Sequence, residues 1–190
     1  VIPVAELSIR RSVNPADGSL VGEYAEATPE ELTGALAAAA RAFEGWRRST
    51  FAGRAAVLRR AGALLRDRRD ELARLMALEM GKPVAQGRGE AEKCAWVCEY
   101  YAESAERLLA PEAVATDASK SYVAFEPLGT VLAIMPWNFP FWQVLRFLAP
   151  ALMAGNGAVL KHASNVPRCA LAIEEIVQAA GLPRGLFRTL

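Results

Sequence analysis

Residues 130–140 have the sequence T-V-L-A-I-M-P-W-N-F-P, and this segment is the strongest indication of the fold class. Its first six residues are apolar or β-branched, a pattern typical of a strand that is buried on both faces in a parallel sheet. Pro136 ends this run, and the polar residue Asn138 follows two positions later. Open α/β sheets bind ligands just beyond the carboxyl ends of their strands, so we expect a functional site here.

The residues that follow alternate between helix and strand patterns. Residues 141–154 are predicted to be a helix, 157–161 a strand, 166–180 a helix, and a further strand starts near Gly185. This order predicts an α/β fold with a parallel sheet and right-handed crossovers. Three strands make a narrow sheet with unpaired backbone groups at its edge. We therefore expect an incomplete sheet, so that either a second polypeptide completes it or the chain is a fragment.

The chain before this sheet is predicted to be mainly helical. Two short extended segments flank a turn at residues 13–18. Thr28 can accept a hydrogen bond from an early backbone N–H, and Glu31 can reach back to complete a capping box. A helix is therefore expected from Thr28 to about Arg41.

Two longer helices are expected next. Apolar spacing from about Arg54 to Met80 predicts one continuous helix, which Gly81 and the following proline end. Residues 89–109 form another helix, with Cys94 and Cys98 on its apolar stripe. Partial alternation over residues 120–125 predicts a half-exposed strand.

Composition excludes several classes of protein. Apolar residues make up 53% and charged residues 23%, as in ordinary globular proteins, and a net charge of +1 argues against a nucleic-acid binder. The longest apolar run, residues 139–154, is shorter than the roughly 20 residues that span a bilayer. Three cysteines without a disulfide spacing indicate a reducing compartment, so we expect a cytoplasmic protein that contacts no membrane.

Four segments carry a resemblance to a known family. They are N-P-A-D-G at 14–18, L-E-M-G-K-P at 78–83, M-P-W-N-F-P at 135–140 and G-N-G-A-V-L-K at 155–161. In this order and spacing they resemble the N-terminal portion of the aldehyde dehydrogenase superfamily, over essentially the whole chain. The G-x-G-x-x-G dinucleotide fingerprint is absent, because Gly155-Asn156-Gly157 follows a helix and precedes a strand. We interpret these three residues as a helix C-cap and turn.

The resemblance implies oxidation of an aldehyde to a carboxylic acid, with a cysteine thiolate as the nucleophile and NAD or NADP as the cofactor. Asn138 matches the asparagine that helps to hold the oxyanion, and a neutral amide donor suits that task. The alternative is that Asn138 caps its own loop, as asparagines often do.

The resemblance also implies a cofactor site at the ends of two strands. Lys161 matches a lysine that binds the adenosine ribose, although it could instead be an ordinary surface lysine. Ser164 stands where many NAD-preferring members have a glutamate; a serine there does not repel a 2′-phosphate, so NADP is also possible. The full set of expected cofactor contacts is Ile134, Met135, Pro136, Trp137, Asn138, Lys161 and Ser164.

The segment Lys161-His162-Ala163 is similar to the succinate-semialdehyde dehydrogenase subgroup, and this resemblance implies that Arg146 binds a distal carboxylate. Burial of Arg146 in an apolar helix would require an anionic partner, so an ion pair with a glutamate of the chain remains the alternative. Phe139 and Trp142 are the other expected substrate contacts. His162 is expected to lie beside the ribose rather than to act as a general base, and no metal site is expected.

The family's nucleophile and general base are expected to lie beyond Leu190, because no cysteine here stands in the nucleophile's context. The chain is thus either the N-terminal part of an aldehyde dehydrogenase or a non-catalytic remnant that serves as a binding or assembly module. We divide it into a mainly helical part (1–116), one strand of an oligomerisation hairpin (117–128) and an incomplete βαβαβ dinucleotide-binding part (129–190). A homo-oligomer, or a complementing C-terminal part, is the expected partner.

Overall fold

The computed structural model describes residues 9–190. Its elements follow in the order β1 (Ile9–Val13), β2 (Leu20–Ala25), α1 (Pro29–Trp46), α2 (Phe51–Asp67), α3 (Arg69–Met80), α4 (Val84–Leu108), β3 (Glu112–Ala113), β4 (Tyr122–Val123), β5 (Thr130–Met135), α5 (Trp142–Met153), β6 (Gly157–His162), α6 (Pro167–Ala179) and β7 (Phe187–Thr189).

The three C-terminal strands form the predicted parallel sheet. Their order is β5-β6-β7, so β6 is the central strand. The register pairs Thr130 with Gly157 at one end and Met135 with His162 at the other. The ends of β5 and β6 therefore lie side by side, and the loops that follow them leave the sheet at the same edge.

The expectation that β5 is buried on both faces is wrong. Ala133 is buried, but Leu132 and Ile134 are 63% and 68% exposed. Among residues 9–190, β5 pairs only with β6, and none of these residues covers the face to which Leu132 and Ile134 point. A run of apolar residues indicates which side chains tend to be buried, but it does not indicate which helices or strands cover them, because that depends on the tertiary structure.

The start of α1 confirms the capping box. The N–H of Glu31 donates to Thr28 Oγ1 at 3.1 Å, and the N–H of Thr28 donates to the Glu31 carboxylate at 2.9 Å. The helix continues past Arg41 to Trp46, whose indole N–H donates to the carbonyl of Leu152. This bond ties the end of α1 to the end of α5.

The single helix expected from Arg54 to Met80 is wrong, since α2 and α3 meet in a kink at Arg68. The N–H of Arg68 donates to the carbonyl of Leu64 at the end of α2, and the carbonyl of Arg68 accepts from the N–H of Leu72 at the start of α3. Both halves pack against α4. Neither a glycine nor a proline marks the kink, so tertiary packing rather than a local signal decides it.

Other boundaries also differ from the expectations. The C-cap Gly81 takes a left-handed conformation (φ 73°), which confirms the predicted stop of α3. Helix α4 begins at Val84, earlier than residue 89. The strand expected over 120–125 is reduced to Tyr122–Val123, and it pairs antiparallel with Glu112–Ala113.

One core joins the helices to the sheet. Helices α2 and α3 pack against α4, and α4 packs against α5 beside the sheet. Its largest fully buried side chains include Leu58, Leu65, Leu72, Met76, Phe141, Leu145, Leu148, Leu152, Leu160, Ile173 and Phe187. The three cysteines lie in this core, as expected. Within residues 9–190, every helix is too short or too polar to cross a membrane.

Two glycines of α4 offer a test of this packing. A Cβ on Gly87 would lie 2.9 Å from the Cα of Ala73 in α3, whereas a Cβ on Gly89 would meet nothing within 4 Å. We expect Gly87→Ala to lower the free energy of unfolding by about 1–3 kcal/mol, because backbone must move. Gly89→Ala should raise it by roughly 0.5–1 kcal/mol through helix propensity. Urea unfolding of both variants measures this; equal effects would contradict the close α3–α4 approach.

Candidate functional site

The candidate site lies where the loops after β5 and β6 leave the sheet. His162, at the end of β6, joins these two loops. Its Nδ1 accepts from the N–H of Ala163 at 2.8 Å, and its Nε2 lies 2.9 Å from the carbonyl oxygen of Pro140. Because Nδ1 is an acceptor, the proton resides on Nε2, which donates to Pro140. The imidazole is buried and uses both nitrogens.

Burial keeps this imidazole neutral. Removal from water lowers the pKa of His162 below its ordinary value, and the hydrogen bond to Pro140 opposes this shift only in part. With both nitrogens engaged, His162 has no free atom with which to take a proton from a substrate. This arrangement agrees with the expectation that His162 is not a general base.

Asn138 is presented to solvent on the loop after β5. Asn138 is exposed, and none of the hydrogen bonds among residues 9–190 involves its side-chain amide. The alternative in which Asn138 caps its own loop is therefore not what the structure shows. An amide without a protein partner is free to donate to a ligand.

The residues after Asn138 are held by a buried ion pair that the sequence did not reveal. Glu90 of α4 accepts from the N–H groups of Phe141 and Trp142, each at 2.9 Å. Its other carboxylate oxygen pairs with Lys82, whose Nζ lies 4.0 Å from the centre of the Phe139 ring. A signal did exist: Glu90 precedes Cys94 by one helical turn, so a charged residue stands on the apolar stripe of α4.

A second buried carboxylate holds the loop after β6. Glu79 of α3 accepts from the N–H groups of Arg168 (3.0 Å) and Cys169 (2.8 Å) at the start of α6, and from the hydroxyl of Ser12. The L-E-M-G-K-P segment thus supplies buried groups, Glu79 and Lys82, to both loops of the site.

A cleft of about 1140 Å³ opens beside the ends of β6 and β7. Helices α1 and α6 contribute to its walls, and Lys161, Ser164, Arg188 and Thr189 line it. Lys161 and Ser164 are exposed. A lysine ammonium and a serine hydroxyl fit the hydroxyls and phosphates of a nucleotide, whereas the lining Arg188 is already paired with Glu174.

The expected cofactor contacts divide into two groups. Lys161 and Ser164 line the cleft, whereas Ile134–Asn138 lie on the neighbouring strand end and outside its lining. The two groups still meet at the sheet edge, because Ile134 pairs with Lys161 in the register of β5 and β6.

The expected substrate contacts lie in α5 or just before it. Phe139 is exposed, and Trp142 and Arg146 are one helical turn apart. The Nζ of Lys93 lies 4.0 Å from the centre of a Trp142 ring, so Trp142 has one cation against its ring and another one turn away.

The expectation that Arg146 is buried is wrong. Arg146 is exposed and forms no ion pair within residues 9–190, because the apolar side chains of α5, such as Val144 and Leu148, face the core instead. The alternative, an ion pair with a glutamate, is therefore not present in this part of the chain. An unpaired guanidinium at the surface remains available for an external carboxylate.

The three cysteines are poor nucleophiles. Burial raises the pKa of Cys94 and of Cys169 well above the ordinary value, and raises the pKa of Cys98 to about 12. A thiol reacts as its thiolate, so none of these cysteines can attack an aldehyde near neutral pH.

The sequence of this chain is similar to those of known proteins. The model of the aldehyde dehydrogenase family matches residues 5–190. A probable succinate-semialdehyde dehydrogenase [NADP(+)] from Synechocystis is 55% identical over 179 residues, which cover 94% of this chain and 39% of that protein. Succinate-semialdehyde dehydrogenase [NADP(+)] 1 from Mycobacterium tuberculosis is 48% identical over 182 residues, covering 94% of this chain and 40% of that protein.

A solved structure gives the same result for the fold. Succinic semialdehyde dehydrogenase from Streptococcus pyogenes, in complex with NADP+, superimposes with a TM-score of 0.92 at 34% identity. The match covers 95% of this chain and 40% of that one. The chain therefore spans about two fifths of the length of the relatives it matches.

The neutral state of His162 has a consequence for stability. In the unfolded chain this imidazole has the ordinary histidine pKa of about 6.5, whereas burial lowers its pKa in the folded chain. Between these two pKa values the unfolded state binds more protons, so stability falls as the pH drops below about 6.5. His162 is the only histidine. We expect the free energy of unfolding to fall from pH 7.5 to pH 5.5 more steeply in the wild type than in His162→Gln.

Urea unfolding at several pH values measures this difference. Both proteins share every carboxylate, so the difference between their pH profiles isolates His162. The difference in the free energy of unfolding between the two proteins cannot change by more than about 1.4 kcal/mol per pH unit, because only one proton is involved. Parallel profiles would contradict a lowered pKa.

Proposed function

Because the chain belongs to the aldehyde dehydrogenase family, we propose that it is the N-terminal part of an NADP- or NAD-dependent enzyme that oxidises succinate semialdehyde to succinate. The observation that carries this proposal is that two polar side chains, Asn138 and Arg146, are both exposed and both lack a partner within residues 9–190. Asn138 offers an amide at the end of β5, and Arg146 offers a guanidinium about two helical turns further along. The similar proteins from Synechocystis and Mycobacterium carry the same activity in their names.

Asn138 acts on the aldehyde oxygen. When a thiolate attacks the carbonyl carbon, a carbon–sulfur bond forms and the oxygen gains negative charge. The amide N–H of Asn138 donates to that oxygen and remains neutral throughout. A nicotinamide cofactor, when bound, would supply an acceptor for the hydride of the same carbon.

The nucleophile comes from outside the 190 residues. The buried thiols of Cys94, Cys98 and Cys169 cannot supply a thiolate, and the chain spans 39–40% of the length of its relatives. The proposal therefore assigns the reactive cysteine and the general base to a further part of the protein.

The cofactor is held by residues at the carboxyl ends of β5 and β6. Lys161 donates to the ribose hydroxyls, and Ser164 leaves room and a donor for a 2′-phosphate. With no carboxylate at position 164, nothing there repels that phosphate. This reasoning supports NADP, and it allows NAD as well.

Arg146 binds the distal carboxylate of the substrate. Its planar guanidinium can donate two parallel hydrogen bonds to a carboxylate. Trp142 and Phe139 provide apolar surface beside it for the short carbon chain. This assignment distinguishes an aldehyde that ends in a carboxylate from an uncharged one.

The β3–β4 hairpin is the proposed contact between subunits of a homo-oligomer. Tyr122, Val123 and Phe125 are exposed there, although residues of this size usually avoid water. The hairpin includes Glu112–Ala113, so it begins before the 117–128 segment assigned to it from the sequence. Three free and buried thiols support a reducing compartment such as the cytoplasm.

The direct test is an assay of the full-length protein with succinate semialdehyde and either cofactor, alongside a fluorescence titration of the 190-residue chain with NADPH. The proposal expects NADP- or NAD-dependent formation of succinate by the full-length protein. A full-length protein that oxidises no aldehyde, or a folded chain that binds no dinucleotide, would instead favour a non-catalytic module.

Substitution of Ser164 tests the cofactor assignment. Ser164→Glu places a carboxylate beside the 2′-phosphate, and we expect kcat/KM with NADP to fall at least about tenfold while the value with NAD changes little. The control is Asn165→Glu, which adds the same charge one residue further on. Equal losses with NADP and NAD would count against this role of Ser164.

Substitution of Arg146 tests the substrate assignment. A hydrogen bond to a charged group contributes about 1.5–3 kcal/mol, so Arg146→Leu should raise KM for succinate semialdehyde by roughly tenfold or more. KM for an uncharged aldehyde such as butanal should stay within about twofold by the same reasoning. Arg107→Leu, at the exposed end of α4, is the matched control. Similar losses for both aldehydes would sink the assignment.

A further inference from the structure

We infer that the buried ion pair between Lys82 and Glu90 is a positioning device that fixes the loop carrying Asn138. This inference rests on the proposed function, because it gives a catalytic purpose to a pair that lies outside the substrate and cofactor contacts. Lys82 and Glu90 are positioning residues in this scheme. Asn138 is the residue that touches the reacting oxygen.

Glu90 holds the start of α5. The first N–H groups of a helix have no partner within the helix, and their burial without an acceptor is costly. One oxygen of Glu90 accepts from both Phe141 and Trp142 at 2.9 Å. A carboxylate at a helix N-terminus also interacts favourably with the helix dipole. Glu90 of α4 therefore fixes both the direction of α5 and the end of the loop that carries Asn138.

Lys82 holds the residue next to Asn138. Its side chain is 4% exposed, that of Glu90 is 2% exposed, and the ammonium group contacts both the Glu90 carboxylate and the face of the Phe139 ring. A cation over an aromatic ring is attracted by the ring's electron density, and more strongly away from water. The ring of Phe139 is thus fixed although the residue is half-exposed.

The contacts together leave Asn138 little freedom. The four residues after it are held in turn by Lys82 (at Phe139), by His162 (at Pro140) and by Glu90 (at Phe141 and Trp142). On the other side, Met135 is fixed by its pairing with His162 in the sheet. Only residues 136–138 lie between these two anchors. Asn138 is the one that presents a free amide.

A need for stability alone does not explain the pair. Replacing a buried ion pair by apolar residues of similar size is often neutral or stabilising. Apolar residues, however, could not accept the two N–H groups of α5. A donor in an oxyanion site must be fixed before the reaction starts, and a misplacement of about 1 Å can cost about a hundredfold in rate. The role of the Lys82–Glu90 pair is therefore to fix the position of the loop that carries Asn138.

Two matched variants separate position from stability. Lys82→Met removes the buried cation at the start of α5. Arg54→Met removes another buried cation at the opposite end of the same helix, where Arg54 donates to the carbonyl of Met153 at 2.8 Å. Both variants should lower Tm. Only the first should disturb Asn138.

In the full-length protein, we expect Lys82→Met to lower kcat with succinate semialdehyde by at least about tenfold while KM stays within about threefold. Arg54→Met should leave kcat within about twofold by the same reasoning. The double variant Lys82→Met/Glu90→Gln should recover part of the lost kcat, because the amide oxygen still accepts from Phe141 and Trp142 without an unpaired buried charge. Equal losses of kcat in Lys82→Met and Arg54→Met would overturn the inference.

A second measurement does not depend on activity. In the 190-residue chain, 15N relaxation of the Asn138 side-chain and backbone amides should show greater motion in Lys82→Met than in wild type or Arg54→Met. Unchanged motion in Lys82→Met would overturn the positioning role, whatever the enzyme does. Greater motion together with a wild-type full-length protein that oxidises no aldehyde would instead overturn the proposed function and leave the positioning role standing. If Lys82→Met does not fold, the double variant takes its place in both measurements.

Discussion

Two buried carboxylates from the helical part of the chain cap the two helices that follow the first strands of the sheet. Glu90 caps α5 and Glu79 caps α6, and each accepts two backbone N–H groups from its helix. A helix start that is buried needs such acceptors, because its first N–H groups have no partner within the helix. These bonds connect α3 and α4 directly to the edge of the sheet at which the loops of the site emerge. The positions of Asn138 and of the Lys161–Ser164 loop follow from them.

The same caps are consistent with the absence of the usual dinucleotide fingerprint after β5 and β6. In that motif the phosphates bind at the N-terminus of the helix after a strand, where free N–H groups and the helix dipole attract negative charge. Here Glu90 and Glu79 already occupy the N-termini of α5 and α6. A phosphate at either position would meet a carboxylate. The cofactor contacts proposed for this part of the chain are accordingly side chains, Lys161 and Ser164, rather than the N–H groups at the start of α5 or α6.

The sequence predicted local features well and tertiary features poorly. The capping box at Thr28, the stop at Gly81 and the alternation of strands and helices after residue 130 depend on neighbouring residues, and all are present. The exposure of Leu132 and Ile134 depends on which elements cover β5, and the kink at Arg68 depends on packing against α4. An apolar pattern predicts neither the exposure of these side chains nor the kink, because it indicates a preference for burial but not the element against which a residue packs.

The site residues show the same division. Motifs predict Asn138 and Lys161 as site residues, and both are exposed at the sheet edge. The exposure of Arg146 was not predicted, since its helix is apolar on every side except the one that faces outward. The burial of Lys82 and Glu90 was also not predicted from the sequence. Charged residues are usually exposed, and only the place of Glu90 on the stripe of Cys94 and Cys98 indicates that it is buried.

Burial separates two tasks among the polar groups of the site. Glu79, Glu90 and Lys82 are buried, have partners and hold the backbone, whereas Asn138, Arg146 and Lys161 are exposed and have no ion-pair partner within residues 9–190. His162 belongs with the first group, because burial lowers its pKa and keeps it a neutral donor to Pro140. Since the backbone is ordered when the chain folds, little backbone entropy remains to be lost when a ligand binds. The exposed groups can then act on a ligand from fixed positions, which is what stabilisation of a developing charge requires.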